Sequence, residues 1–377
     1  MSIRLCGVFR LAQLTNAGRG TDDRGSENEN NSPGRRLMRK TIAIAVAALA
    51  LGLTGAADAK TLKVQASSAP GDWAHRFMTE GWQQKIEEMS GGSLKLEVLP
   101  TKAVVPHKET IDAVANGILD GDLNAVAYFS GRDPAFALMG DLIAGYDTPE
   151  EVQTFCMEGG GKEILQKLYD KYGNGKIHVV GCGPYAKEAL VSKVPINTVE
   201  DFKGVKIRSP EGLAAEVFKR AGASPVSLPF SEVYTSLEKG IVDAADASAY
   251  VNNDASGMHK VAFYPLYPGI HSMAILQFVV NKDVWNKLTP GERTILEVWY
   301  VAAYATIRRQ ADLQDRDLAA RDKAGGKMTV IDWSKEERAK FRKIAVGAWE
   351  DFGEKSPLAK EALDAHISFM KRTGLLD

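Results

Sequence analysis

The sequence predicts an α/β protein, and three observations support it. Short apolar segments alternate with amphipathic stretches from Leu62 to about Ala244, the pattern of repeated βα units. From Thr289 onward the pattern is mostly helical. At 377 residues the chain exceeds what one core normally fills, so two domains are expected. Hydrophobic residues at 45% and charged residues at 25% are those of a folded globular chain, not a disordered one. A net charge of −1 gives no basic surplus against a phosphate backbone, so no nucleic-acid partner is expected.

The N-terminal part stands apart from the fold. Residues 1–37 are polar, rich in Asn, Gly and Arg, and without apolar periodicity. They read as an upstream extension, with translation starting at Met38. Met38-Arg39-Lys40 is a short basic start, Thr41 to Leu53 an apolar run, and Ala57-Asp58-Ala59 a small-x-small site before Lys60. Residues 38–59 are therefore expected to be a signal peptide cleaved after Ala59. The run is too short to span a bilayer, and no later one is longer. Cleavage removes Cys6 and leaves Cys156 and Cys182. These two either pair in an oxidising compartment or stay as buried thiols.

The mature chain opens with a strand at Leu62 to Gln65. Trp82, Ile86 and Met89 then share one helix face, and Gly91-Gly92 ends that helix. Leu94 to Val98 alternates as a half-buried strand. A helix over about 108–116 and a strand near Leu123 to Ala127 follow. Further strands are expected at Ile177 to Val180, Val205 to Ile207 and Ile241 to Ala244, in largely parallel sheets. Thr289-Pro290-Gly291-Glu292 places a cap, a first-turn proline and an acid at N3, and Ser334 begins a later helix the same way. Between them Met328 to Ile331 reads as one more strand.

Catalytic signatures are missing. The sequence contains no His-Glu-x-x-His, no Gly-x-Ser-x-Gly and no Gly-x-x-x-x-Gly-Lys-Ser/Thr. Its six histidines form no i,i+4 pair and no cluster with cysteine. Gly181-Cys182-Gly183-Pro184-Tyr185-Ala186 imitates a dinucleotide loop, but Pro184 removes an amide that pyrophosphate needs, and no helix pattern follows. Gly159-Gly160-Gly161 reads as a helix break.

A longer stretch is more informative. Thr198 to Gly204 leads into Val205-Lys206-Ile207-Arg208. Pro229-Phe230-Ser231-Glu232-Val233-Tyr234 and Leu237-Glu238-Lys239-Gly240-Ile241-Val242-Asp243-Ala244 follow. Together with Ala113 to Asp122 and Tyr128-Phe129-Ser130-Gly131-Arg132-Asp133-Pro134-Ala135-Phe136, this run resembles the substrate-binding subunit of a TRAP transporter, the DctP family, in its keto-acid-binding branch. The resemblance covers nearly all of residues 61–377. It implies a two-lobed periplasmic binding protein fold with crossing hinge strands and C-terminal helices. Lobe I would comprise residues 60–183 and 270–312, and lobe II residues 184–269 and 313–377. The crossings would fall at Ile177 to Tyr185 and Tyr267 to Val280. The implied role is a periplasmic receptor, not an enzyme, that binds a small organic acid between the lobes and passes it to separate small and large membrane subunits.

The same resemblance nominates site residues. Arg208 matches the arginine that forks onto a ligand carboxylate, a role suited to the planar guanidinium. Glu188, or Tyr185 if the local alignment shifts, falls at a polar ligand-contacting position. Asp246 falls where the branch has a metal-binding acid, but Ala247 replaces the aromatic that follows there. His271 or Ser272 stands near a second acidic ligand of the branch. A ligand-associated calcium or sodium ion on Asp246 and Glu188 is the one cofactor candidate. Tyr128 is a hydrogen-bonding candidate, Phe129 and Trp73 are candidate apolar walls, and Asn252 and Asn253 are candidate amide contacts. Ile295, Trp299 and Ala302 form a stripe expected to pack on this chain's own lobes, giving a monomer and not a helix-exchanged dimer. Two rivals remain: a receptor of another transporter or sensor, and a secreted enzyme pairing Glu188 with Asp246.

Overall fold

The computed structural model describes residues 59–270 and 272–376. The upstream extension, the start at Met38, the signal-peptide run and His271 lie outside the described residues. Among the described residues no helix is long and apolar enough to cross a membrane.

The first layer begins with β1 (Lys60–Ala66) and α1 (Trp73–Phe77), which runs through a π turn at Met78–Trp82 into α2 (Gln83–Met89). Then come β2 (Leu94–Leu99), α3 (Thr110–Ala115) and β3 (Gly121–Ala125). β2 alternates as expected, with Leu94, Leu96 and Val98 buried. A short α4 (Ala135–Gly140) precedes α5 (Pro149–Glu158) and α6 (Gly161–Tyr172), and the expected break between the last two holds Gly160 at φ 96°. β4 (Ile177–Pro184) is buried almost throughout, because α5 and α6 pack on it.

The chain then builds a second sheet from β5 (Ala189–Ser192), β6 (Lys206–Ser209), α7 (Leu213–Arg220), β7 (Ser224–Ser227), α8 (Val233–Glu238) and β8 (Ala244–Ser248). After α9 (Tyr250–Ala255) it returns to the first sheet as β9 (Ile275–Asn281). The first sheet has the order β2-β1-β3-β9-β4 and the second β5-β8-β6-β7. Both are mixed, not largely parallel. β9 lies antiparallel to β3 and β4, and β5 antiparallel to β8, while β1 pairs parallel with β2 and β3, and β6 with β7 and β8. The antiparallel pairs come from the strands that leave or re-enter a sheet.

Two expected strands moved. Ile241 is 49% exposed and Gly240 turns at φ 70°, so the strand expected at Ile241 to Ala244 begins where it should have ended. Met328 to Ile331 contributes only one bridge, Leu266 to Ile331.

The helical tail holds α10 (Lys282–Lys287), α11 (Pro290–Gly325), α12 (Lys335–Gly353) and α13 (Pro357–Arg372). The capping box of α11 forms as expected: Glu292 N–H donates to Thr289 Oγ1 at 3.2 Å, and Thr289 N–H donates to Glu292 Oε2 at 2.8 Å. Trp299 is fully buried against this chain's own core, and its indole donates to Trp82 O at 2.7 Å. The covered stripe runs through Leu296, Trp299, Tyr300, Ala303, Tyr304 and Ile307, one position round from the expected face at Ala302. α12 packs on α7 and α4, while α13 lies on α4 and α6, elements that precede the first crossing.

Candidate functional site

In mixed α/β sheets, ligands bind outside the carboxyl ends of the parallel strands. Here those ends face one cavity. Ala66 closes β1, Ala125 closes β3, Arg208 lies near the end of β6 and Ser248 closes β8, and all four line it. Its empty volume is about 950 Å³, solvent at the mouth included.

Arg208 is 2% exposed. Its Nε donates to Leu228 O at 2.8 Å and its Nη1 to Asp246 O at 2.5 Å. Both partners are backbone carbonyls, so the side chain is fixed in place without a direct hydrogen bond to a carboxylate. Nη2 has no acceptor among the described residues, and Arg208 lines the cavity. With Nε and Nη1 held by carbonyls, Nη2 is the guanidinium nitrogen left to donate to a carboxylate in the cavity.

Beside it three carboxylates meet. Ser272 Oγ lies 2.5 Å from Asp141 Oδ2, 3.1 Å from Glu188 Oε2 and 3.3 Å from Asp246 Oδ2. A hydroxyl carries one proton, so it can donate to only one of them. All three are buried, and their oxygens lie within 4.8 Å of one another. Burial, then the charge of Asp246, pushes the Asp141 carboxyl up to about 7. Burial lifts Asp246 to about 6 against the pull of Arg208. Glu188 is raised well above the usual range by burial and by its two acidic neighbours. Asp246 Oδ1 is buried with no hydrogen-bond partner among the described residues. A trio of hard oxygen donors, one of them unsatisfied, fits a hard cation such as calcium or sodium.

The other nominated residues fall into two groups. Tyr128, Tyr185, Glu188 and Asn252 line the cavity. Tyr185 Oη accepts from Ala249 N–H at 2.9 Å, and Tyr128 Oη accepts from Phe230 N–H at 3.3 Å across the cleft. Trp73 instead stacks on Phe77, with centroids 6.1 Å apart, and Phe129 packs into the core against Phe136. The Asn253 Nδ2 donates to the carbonyls of Ala189 and Ser248. Asp141 was missed by the sequence reading, since it follows α4 with no motif around it. The dinucleotide look-alike has another explanation. A Cβ on Gly181 would strike the Tyr300 ring, so this glycine serves strand-to-helix packing. Cys156 and Cys182, left open by the sequence, form a disulfide that joins α5 to β4.

Two ion pairs join the segments that face each other at the cleft mouth, Lys102 to Glu232 at 3.1 Å and Lys108 to Glu211 at 2.5 Å.

Known proteins share this architecture. A TRAP periplasmic solute-binding protein from Rhodobacter sphaeroides, solved in an apo open form, is 40% identical with a TM-score of 0.69. The match covers 84% of this chain and 99% of that one. A TRAP solute-binding protein from Colwellia psychrerythraea, solved with calcium and pyruvate, is 25% identical with a TM-score of 0.72, over 84% and 96% of the two chains. A monocarboxylate 2-oxoacid-binding periplasmic protein of Nostoc is 27% identical over 90% of this chain and 94% of its own length. These relatives are receptors, which removes the paired-carboxylate enzyme from consideration. Residues 65–356 match the DctP model, described as bacterial extracellular solute-binding protein, family 7, and the chain belongs to that family.

Proposed function

We propose that this receptor holds the carboxylate of a small organic acid on Arg208, inside the cleft between its two sheets, and delivers it to the membrane subunits of a TRAP transporter. The observation that carries the reading is the buried Arg208, which lines the cavity with Nη2 unengaged among the described residues. An oxo acid is the favoured class, because the Colwellia relative was solved with pyruvate and the Nostoc relative is described as binding 2-oxoacids. Asp141, Glu188 and Asp246 are the residues to hold a calcium or sodium ion, which supplies positive charge against both the acidic trio and the ligand. Residues 60–183 with 270–312 make one lobe and 184–269 with 313–377 the other, with α13 reaching back to α4 and α6. The receptor works as a periplasmic monomer released by cleavage after Ala59.

The test is calorimetric titration of parent, Arg208→Lys and Arg208→Ala with pyruvate in calcium buffer. Removing one partner of a buried charge pair costs about 2–5 kcal/mol, roughly 30- to 5,000-fold in affinity. Lysine falls near the low end because it still offers a point charge, and alanine loses more. Equal dissociation constants across the three proteins would remove Arg208 as the anchor.

A further inference from the structure

A second set of metal-type donors lies away from the cleft. Asp254 is on α9, His259 follows it on the short turn Met258–Lys260, and Asp322 comes from the far part of α11, which packs on α9. One donor atom from each, an imidazole nitrogen and two carboxylate oxygens, lies within 4.8 Å of the others. None of the three residues lines the cavity that holds Arg208.

The histidine sets this group apart from an ordinary surface ion-pair network. His259 is 6% exposed, and neither ring nitrogen has a hydrogen-bond partner among the described residues. A buried polar atom left without a partner is costly, and native proteins keep few of them. Nδ1 lies 3.5 Å from Asp254 Oδ1. That is long for a hydrogen bond. Two zinc ligands with bonds of about 2.0–2.2 Å at a tetrahedral angle, however, stand about 3.4 Å apart.

The surroundings already orient the carboxylates. Tyr250 Oη donates to Asp322 Oδ2 at 2.8 Å, and its ring lies against that of His259 with centroids 4.3 Å apart. Such outer partners fix the geometry of metal ligands. From the exposed side Arg321 Nη2 reaches both acids, Asp254 Oδ1 at 3.0 Å and Asp322 Oδ1 at 2.7 Å. It offsets their charge but leaves the imidazole without a partner, whereas a metal ion takes the two charges and the nitrogen lone pair together. The Arg321 side chain is 53% exposed, so it can swing outward when an ion takes its place.

We infer that Asp254, His259 and Asp322 form a second metal site, for a divalent transition ion of the zinc type, distinct from the acidic trio and independent of the Arg208 anchor. One imidazole with two carboxylates suits zinc and leaves a fourth position for water. Calcium takes oxygen ligands, and more of them. The bound ion ties the outer part of α11 to α9 and to the turn that follows it.

The experiment is calorimetric titration of the mature protein with zinc chloride, calcium held in excess to fill the trio, together with thermal melting. The parent binds one zinc per chain and melts at a higher temperature with it. Changes outside the ligand set alone weaken metal sites about 10- to 100-fold, so loss of a ligand in His259→Gln weakens zinc at least about tenfold. Asp254→Asn, a change at a part-exposed position, does the same, with melting of the zinc-free proteins checked to show an intact fold. Arg321→Gln tightens zinc, because two exposed ion pairs no longer compete for the carboxylates. Asp246→Asn, which disables the trio, keeps the zinc affinity of the parent. No zinc bound by the parent, one affinity shared by the parent, His259→Gln and Asp254→Asn, or zinc lost in Asp246→Asn would each overturn the inference.

Discussion

Asp141, Glu188 and Asp246 give the cleft a charge that depends on pH. Their folded-state carboxyls sit above the ordinary range, Asp141 near 7 and Asp246 near 6 against a usual 3.8. Between the unfolded and folded values the native protein binds more protons than the unfolded chain. Its stability from these groups therefore falls as pH rises from about 4 to about 7, and stays low above that. Other carboxylates with lowered values, such as Asp133, act in the opposite sense, so the test is a comparison of two proteins. In metal-free buffer, Asp141→Asn should gain stability relative to the parent between pH 5 and pH 8, as read by thermal melting. A constant difference would show that Asp141 does not titrate in this range. Calcium should raise the parent's melting temperature more at pH 8 than at pH 5, because the cation needs ionised ligands. In Asp141→Asn that calcium shift should shrink at both pH values. Arg208 was legible in the sequence because it ends a short apolar strand inside a longer family pattern. Asp141 was not. Its role comes from meeting Glu188, Asp246 and Ser272, which are remote in sequence, and no local spacing records such a meeting.

Gly181 separates two explanations of a motif. It lies where the β4–β9 register shifts, between Val179 and Gly181, and under the Tyr300 ring. Gly181→Ala should cost about 1–3 kcal/mol of stability by overpacking, measured by urea unfolding, while affinity for the acid changes little. A dinucleotide loop would instead lose ligand binding with no loss of stability. The disulfide belongs to the same region. Cys156 and Cys182 are 26 residues apart, and a loop of that size gives about 3 kcal/mol when closed. Replacing both cysteines by serine should lower the melting temperature and leave the calcium response intact. Elements with size contrast or a cap were readable from the sequence: β2 through its alternation, and α11 and α12 through Thr289 and Ser334. β8 was not, because Ala244-Ala245-Asp246-Ala247-Ser248 is buried at every position and carries no period. A strand of small residues leaves the hydrophobic pattern silent, and the bulkier Ile241 and Val242 nearby drew the assignment toward the turn.

At the scale of the whole molecule, two ion pairs bridge the segments that face each other at the cleft mouth. The Lys102–Glu232 and Lys108–Glu211 pairs are about half exposed at each side chain, so each contributes about 0–1 kcal/mol and is screened by salt. Reversing both lysines to glutamate should weaken acid binding about three- to tenfold by disfavouring the closed form, with the loss largest at low ionic strength. An unchanged affinity at low salt would show that the pairs do not help hold the cleft shut. The two-lobe plan was legible through the alternation of elements and the family resemblance, whereas the return of α13 to α4 and α6 carried no signal in its own amphipathic pattern. α11 ties these parts together in another way. Near its start Trp299 and Tyr300 are fastened to Trp82 O and Leu276 O on the first lobe. Farther on, Asp315 accepts from Val251 N–H at 2.7 Å and Asp322 from Tyr250 Oη at 2.8 Å. Between them Arg308 holds Pro184 O at 3.1 Å, at the end of the first crossing strand. Arg308 thus marks a point of attachment between the two sets of bonds. Asp322 sits about 21 Å beyond that point along the axis, so each degree of rotation there carries it roughly 0.4 Å. A hydrogen bond tolerates only a few tenths of an ångström. A rotation of more than about a degree at that point would therefore break the Asp315 and Asp322 bonds unless the outer arm moved together with Tyr250 and Val251.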